Sequence, residues 1–173
     1  MIEHLIVGNI FALGAAICTV ISIVKKDKTE LIRWQIADIS FCLLSSIALF
    51  AYAALATNCV ALIRNILAYK HKLTTKATFG LSVLCIIIGM YVNNLGFIGW
   101  LAIIASTSYT VLMYTTRNDQ QMRYAILSNL TLWLIHDCYI QSYPTALTEI
   151  SLIAWTTFQI FKNKHRFVKK AGR

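Results

Sequence analysis

The sequence predicts an all-α integral membrane protein with seven transmembrane helices, arranged as two parallel three-helix repeats joined by a linker helix (3+1+3). Composition, apolar segments and the distribution of basic residues lead to this class. Of the 173 residues, 58% are hydrophobic and 13% are charged. A soluble domain carries about 25% charged residues, and a soluble domain of this size still exposes a large outer shell. The composition therefore indicates a protein that is surrounded by lipid.

Seven apolar segments have the length of membrane spans. A spanning helix needs about 20 residues, with a range of roughly 17–25. No segment shows the strict alternation of apolar and polar residues that is typical of a membrane β-strand. The N-terminal segment lacks a basic region and a small-residue cleavage site, so we expect it to stay as a helix rather than to be removed as a signal peptide. The predicted spans are 4–24, 34–53, 55–70, 77–95, 97–115, 124–141 and 145–161.

The basic residues predict the topology. Lys and Arg near the ends of spans are enriched on the cytoplasmic side. The net charge of +9 is therefore explained by topology rather than by nucleic-acid binding. We expect an external N-terminus and a cytoplasmic C-terminus. Fifteen of the sixteen Lys and Arg lie in the alternate connections 25–33, 70–76 and 115–123 and in the segment 162–173, whereas the connections near 54, 96 and 142 hold none.

The order of spans and connections occurs twice. Each half runs through a span, a basic connection, a span, a charge-free turn, a short span and a basic end. Three spans reverse the side of the membrane and a fourth restores it, so the halves are predicted to be parallel repeats. Within one transmembrane domain, 1–173, we expect a first repeat at 4–72, a linker helix at 77–95, a second repeat at 97–164 and a basic cytoplasmic tail at 165–173.

A weak alignment supports this repeat. With Arg33 placed on Arg123, an offset of 90 residues, Ala12 meets Ala102. A further shift of two residues is needed before Ala54 meets Ala146 in the last spans of the two halves.

Four short motifs carry a family resemblance. They are "MR" (122–123), "WLIHD" (133–137), "TEIS" (148–151) and the end of the third span around Arg64. In the order and spacing of these motifs, the chain resembles the YgjV family of bacterial inner-membrane proteins. Its helix plan is similar to the PQ-loop superfamily, which includes the SWEET sugar transporters, although the chain has no Pro-Gln pair. The resemblance implies two three-helix bundles around a central pathway in the inner membrane, and it implies no particular substrate.

Five ionisable residues fall inside the predicted spans, where a charge costs about 3 kcal/mol or more. Asp38 lies five residues past Arg33 and Arg64 lies six residues before Lys70. At about 1.5 Å per residue, both are about 8–9 Å from the cytoplasmic end. We therefore predict a structural ion pair between Asp38 and Arg64. The alternative is that Arg64 snorkels to phosphate and Asp38 sits in a wet vestibule.

The other three ionisable residues are His136, Asp137 and Glu149, which lie in the outer half of the predicted membrane. Adjacent helical residues point about 100° apart, so we expect only one of His136 and Asp137 to line a pathway. Glu149 could meet either group across the hairpin of the last two spans. We interpret these groups as part of a polar cavity. The alternative is that they only form contacts between neighbouring helices.

The predicted solute-binding set extends this cavity with residues of both halves. Ser106 and Ser108 are polar residues that could line it. The resemblance to SWEET proteins implies that asparagine and tryptophan side chains contact the solute. The predicted substrate-binding residues are His136, Glu149, Trp133, Asn58, Asn129 and Trp155.

The leading functional hypothesis is a small-solute transporter that opens alternately to the two faces. A non-transporting membrane scaffold or accessory subunit is the alternative. The sequence contains no HExxH, no GxSxG and no cluster of metal ligands, so we expect neither an enzyme nor a cofactor or metal. The expected partners are a small-molecule solute and membrane lipid, with a possible homodimer and no nucleic acid.

Overall fold

The computed structural model describes residues 2–24, 28–115 and 119–171, which form seven α-helices and no strand. This confirms the predicted helical class and the number of helices for the described ranges. The helices are α1 (Ile2–Val24), α2 (Lys28–Ala48), α3 (Tyr52–Tyr69), α4 (Thr75–Val92), α5 (Phe97–Thr115), α6 (Asp119–Tyr139) and α7 (Tyr143–Ala171).

The helix ends that differ most from the prediction are the start of α2 and the end of α7. Helix α2 begins at Lys28, six residues before the predicted span, and α7 continues to Ala171 through the segment predicted to be a tail. Lys, Arg and Glu are good helix formers, so a helix can extend beyond its apolar part. Hydropathy identifies only the apolar part of a helix. The predicted start of α2 and the predicted end of α7 were therefore too close to their apolar segments.

Six of the helices form a closed ring. Helix α1 contacts α2 and α7, α2 contacts α3, α3 contacts α5, α5 contacts α6, and α6 contacts α7. Helix α4 lies outside this ring against α3 and α5. A glycine permits its close approach, since a Cβ at Gly89 would lie only 2.7 Å from Cγ1 of Ile103. The six-helix ring therefore surrounds a central space, and α4 contacts it from outside.

The ring buries polar and charged side chains beside apolar ones. Its buried residues include Thr57, Arg64 and His136, whereas soluble domains bury mainly apolar side chains. Each helix exposes large apolar side chains, for example Ile10, Leu44, Ile63, Ile87, Ile104, Ile135 and Phe158.

By length and hydropathy, two described helical segments could cross a membrane, Ile2–Ser22 and Thr75–Val92, while the apolar segment Phe97–Leu112 is shorter. Helices α2, α3, α6 and α7 carry the inward-facing ionisable groups, which lower their mean hydropathy.

Two turns at one end of the ring have the same backbone geometry. Phe50 in the α2–α3 turn has φ = 54° and Gln141 in the α6–α7 turn has φ = 60°. The following residues, Ala51 and Ser142, donate backbone hydrogen bonds of 2.9 Å to residues five positions earlier. This is the left-handed helix ending known as the Schellman motif. Equivalent residues of the two turns are 91 positions apart.

Each turn is also held by an asparagine from elsewhere in the chain. The Asn9 amide donates to the Gln141 carbonyl (3.0 Å), and its Oδ1 accepts from the Tyr143 amide (3.0 Å). The Asn94 amide donates to the Phe50 carbonyl (2.7 Å), and its Oδ1 accepts from the Tyr52 amide (3.3 Å). Asn9 lies on α1 and Asn94 in the α4–α5 connection. We call these two residues the asparagine clamps.

An apolar cluster fills the ring next to these turns. Its buried members are Ala51, Ala54 and Ala102. Leu95, Trp133 and Ile140 pack against them, so α3, α5, α6 and the α4–α5 connection all contribute. Side-chain packing therefore joins the elements at this end of the ring, in addition to the clamps.

Candidate functional site

The ring encloses a cavity of about 450 Å³. Small-molecule pockets typically measure about 300–1,000 Å³, so the cavity has the size of a binding site for a small solute. All six ring helices contribute polar side chains to its wall. Among them are Thr19, Asp38, Asn58, Arg64, Ser106, Tyr109, Asn129, His136, Asp137 and Glu149.

His136 and Asp137 both line this cavity, and their side chains contact each other. His136 is 0% exposed, and its Nδ1 lies 2.9 Å from Oδ1 of Asp137. The expectation that only one of them faces the interior was wrong. Their Cα–Cβ bonds diverge, but rotation about the side-chain bonds brings the two polar ends together. An ionised Asp137 accepts a hydrogen bond from Nδ1–H, which leaves the lone pair of the ring on Nε2.

Three buried acceptor atoms on α6 and α7 have no hydrogen-bond partner among the described residues. They are Asn129 Oδ1, His136 Nε2 and Glu149 Oε2. All three residues line the cavity. The indole of Trp133 packs edge-on against His136, with ring centroids 5.4 Å apart. Burying such atoms without a partner costs about 1–3 kcal/mol each, so this wall is prepared to accept hydrogen bonds.

The same wall concentrates carboxyl groups. Glu149 lies within electrostatic range of Asp137 and Asp38. The thiol of Cys42 lies within electrostatic range of Asp38, Asp137 and Glu149. Its Sγ is 3.7 Å from Oδ1 of Asp38. Helices α2, α6 and α7 therefore present an acidic wall, which we define by Asp38, Asp137 and Glu149.

Arg64 lies on the other side of the cavity and does not pair with Asp38. It is 6% exposed, and its Nη1 donates to Thr110 Oγ1 (3.0 Å) and its Nε to Asn65 Oδ1 (3.2 Å). Its guanidinium carbon lies 5.3 Å from the ring centroid of Tyr109. The predicted ion pair was wrong because equal depth says nothing about direction. Arg64 is directed toward α5, whereas Asp38 is next to Cys42 and to Thr19 on α1.

The remaining predicted residues mostly lie where a solute site requires them. Asn58, Trp133 and Trp155 line the cavity, although Trp155 keeps 54% of its surface exposed. Ser106 also lines it, but Ser108 is exposed on the outside of the ring. Residues two positions apart on a helix point about 200° apart, so these two serines could not share one face.

Sequence reasoning missed the role of helix α5 around Arg64. Tyr109 and Thr110 contact the guanidinium, and Tyr109 lines the cavity. A usable signal was present, because Ser106, Tyr109 and Thr110 have the spacing of three and four residues that places side chains on one helix face. Arg123, which was not predicted as a site residue, also lines the cavity, and its Nε is buried without a partner among the described residues.

The comparison with protein families agrees with this geometry. The model of the Imp-YgjV family, described as bacterial inner membrane protein, matches residues 6–166. The chain belongs to this family. The resemblance drawn from the motifs is therefore confirmed, and so is its description as an inner-membrane protein. No curated protein and no solved structure matches the chain.

Proposed function

We propose that the protein is a small-solute transporter of the bacterial inner membrane, with a central site that opens alternately to the two faces. The cavity of about 450 Å³ inside the six-helix ring carries this proposal. It holds charged and unpartnered polar groups in a protein whose exterior is apolar. Intramembrane groups of this kind are expensive and usually line a path for solutes or ions.

The cavity wall also supports the repeat. Residues 91 positions apart occupy it in pairs: Asp38 and Asn129, Ser45 and His136, Asn58 and Glu149, and Arg64 and Trp155. The offset of 91 equals that of the two turns and lies between the values of 90 and 92 from the sequence alignment. The order of helices in the ring also maps onto itself when α1, α2 and α3 are exchanged with α5, α6 and α7.

These equivalences favour two parallel three-helix repeats around an axis through the cavity, with α4 as the linker. A site at the interface of two repeats can be exposed to either face when one repeat rocks against the other. The polar groups of both halves would then contact the same solute.

The proposed topology has seven spans, an external N-terminus and a cytoplasmic C-terminus. In this orientation the two clamped turns and the apolar cluster lie on the external side. Asn9 of the first repeat holds the α6–α7 turn of the second, and Asn94 at the end of the linker holds the α2–α3 turn of the first. The described conformation is therefore interpreted as closed to the outside.

Uptake into proteoliposomes tests the proposal. Purified protein is reconstituted and offered radiolabelled neutral, cationic, anionic and zwitterionic metabolites. We expect saturable uptake of at least one class, reduced in His136→Ala after normalisation to folded protein. Ser108→Ala is the matched control, because Ser108 is exposed outside the cavity, and it should retain full uptake. Absence of saturable uptake of every class by folded protein would contradict a transport function.

A further inference from the structure

We infer that the cavity binds small zwitterions, which carry an ammonium group and a carboxylate a few ångströms apart. This inference rests on the proposed transport function and names its solute class. The geometry points to it through two walls of opposite character, each of which lacks a counter-ion.

The first wall would receive the ammonium group. Asp38, Asp137 and Glu149 form the acidic wall, and none of them has an ion pair with a Lys or Arg in the described part of the chain. Its unpartnered atoms, His136 Nε2 and Glu149 Oε2, are acceptors, and His136 is completely buried. An ammonium group supplies three N–H donors together with the missing positive charge.

The second wall would receive the carboxylate. Arg64 is a buried cation whose hydrogen-bond partners, Thr110 and Asn65, are both neutral. Its Nη2 makes no hydrogen bond to any described residue. The planar guanidinium fork matches a carboxylate and binds it with two parallel hydrogen bonds. The contacts with Tyr109 and Thr110 hold the fork in one orientation at the cavity wall.

Among the described residues no ion pair joins the two walls. Arg64 lies against the ring of Tyr109 and donates to Thr110 and Asn65 instead. A solute with charges at both ends would satisfy both walls at once. A simple amine would leave Arg64 unpaired, an anion would leave the acidic wall unpaired, and a sugar would supply neither charge. Arg123 lies on α6 thirteen residues before His136, which is about 20 Å along the helix axis.

Binding to the purified full-length chain in detergent tests the inference. Isothermal titration compares L-leucine, L-alanine and L-glutamine with two single-charge analogues of leucine, leucinamide (ammonium only) and 4-methylpentanoate (carboxylate only), and with D-glucose. A hydrogen bond to a charged group contributes enough to change affinity by about tenfold or more. We therefore expect at least one zwitterion to bind, with leucine at least about tenfold tighter than either analogue if leucine is among those that bind.

Variants of Arg64 and Glu149 test which wall binds the carboxylate of the solute and which binds its ammonium group. Arg64→Gln should remove the preference for leucine over leucinamide, and Glu149→Gln should remove the preference over 4-methylpentanoate. Arg64→Lys keeps the charge without the fork, so it should keep part of the first preference and remains informative if Arg64→Gln does not fold. Ser108→Ala should bind as the unchanged protein does.

The outcomes separate this inference from the proposed function. Saturable uptake of a sugar or a simple ion without binding of any of the three zwitterions would overturn the zwitterion site and leave transport standing. Equal affinities for leucine and its two analogues would also overturn the zwitterion site and leave transport standing. Absence of saturable uptake for every class would overturn both.

Discussion

His136 and Asp137 are neighbours on one helix, yet their side chains meet at the cavity wall, with Nδ1 and Oδ1 2.9 Å apart. The contact orients a fully buried imidazole that lines the cavity, and its Nε2 has no hydrogen-bond partner among the described residues. The two residues should therefore act as one unit, in which Asp137 positions the ring and His136 contacts the solute.

This contact leads to a prediction about coupled variants. His136→Ala and Asp137→Asn should each lower uptake per folded molecule. The double variant should resemble His136→Ala alone, because Asp137 acts mainly through the ring. The measurement is uptake normalised to folded protein for the four forms of a double-mutant cycle. Multiplicative losses in the double variant would show that the two residues act independently.

A second prediction concerns Asp38 and Arg64, which share a depth but not a partner. Asp38→Asn and Arg64→Gln should change the free energy of unfolding additively, within about 0.5 kcal/mol, as expected for groups without direct contact. Arg64→Gln and Thr110→Ala should be coupled by about 1 kcal/mol or more, since a 3.0 Å hydrogen bond joins them. Denaturant unfolding in detergent gives both values. Strong coupling between Asp38 and Arg64 would contradict the described geometry.

The asparagine clamps give a third prediction. Asn9→Ala and Asn94→Ala should each destabilise the protein by about 1–2 kcal/mol, because each change removes two hydrogen bonds to a turn. The combined variant should also open the end of the ring that the apolar cluster closes. In a background without native cysteines, Ala54→Cys should then react faster with a maleimide that cannot cross the membrane.

Its control uses an exposed position near the other clamped turn, between α6 and α7. Tyr139 is 59% exposed, and Tyr139→Cys should react at the same rate with and without the clamps. Unchanged labelling of the cysteine at position 54 in the combined variant would show that the clamps only stabilise the turns and do not restrict access.

The fourth prediction concerns topology. A reporter fused after Arg173 should be active only in the form that reports from the cytoplasm, because the basic connections are predicted to lie on that side. A reporter placed in the connection near residue 95 should be active only in the form that reports from the external side. The reverse pattern for either fusion would contradict the seven-span arrangement.

The sequence alone was enough to predict the helical class, the number of helices and the family. Apolar length and charge are properties of a linear segment, and hydrogen bonding within each helix makes its structure largely local. Depth in the membrane stays a prediction, based on a rise of about 1.5 Å per residue. The expectation that His136 and Glu149 face a polar interior came from the cost of a charge in lipid, and both residues line the cavity.

Direction around the helix axis could not be predicted in the same way. Whether Arg64 faces Asp38 or Thr110 depends on how α3 is rotated against α5. Whether His136 and Asp137 share one wall depends on side-chain rotation within the assembled ring. Ser106 and Ser108 differ only in which side of α5 meets the cavity. These choices are made when six helices close into a ring, because only then do the competing contacts of each side chain exist.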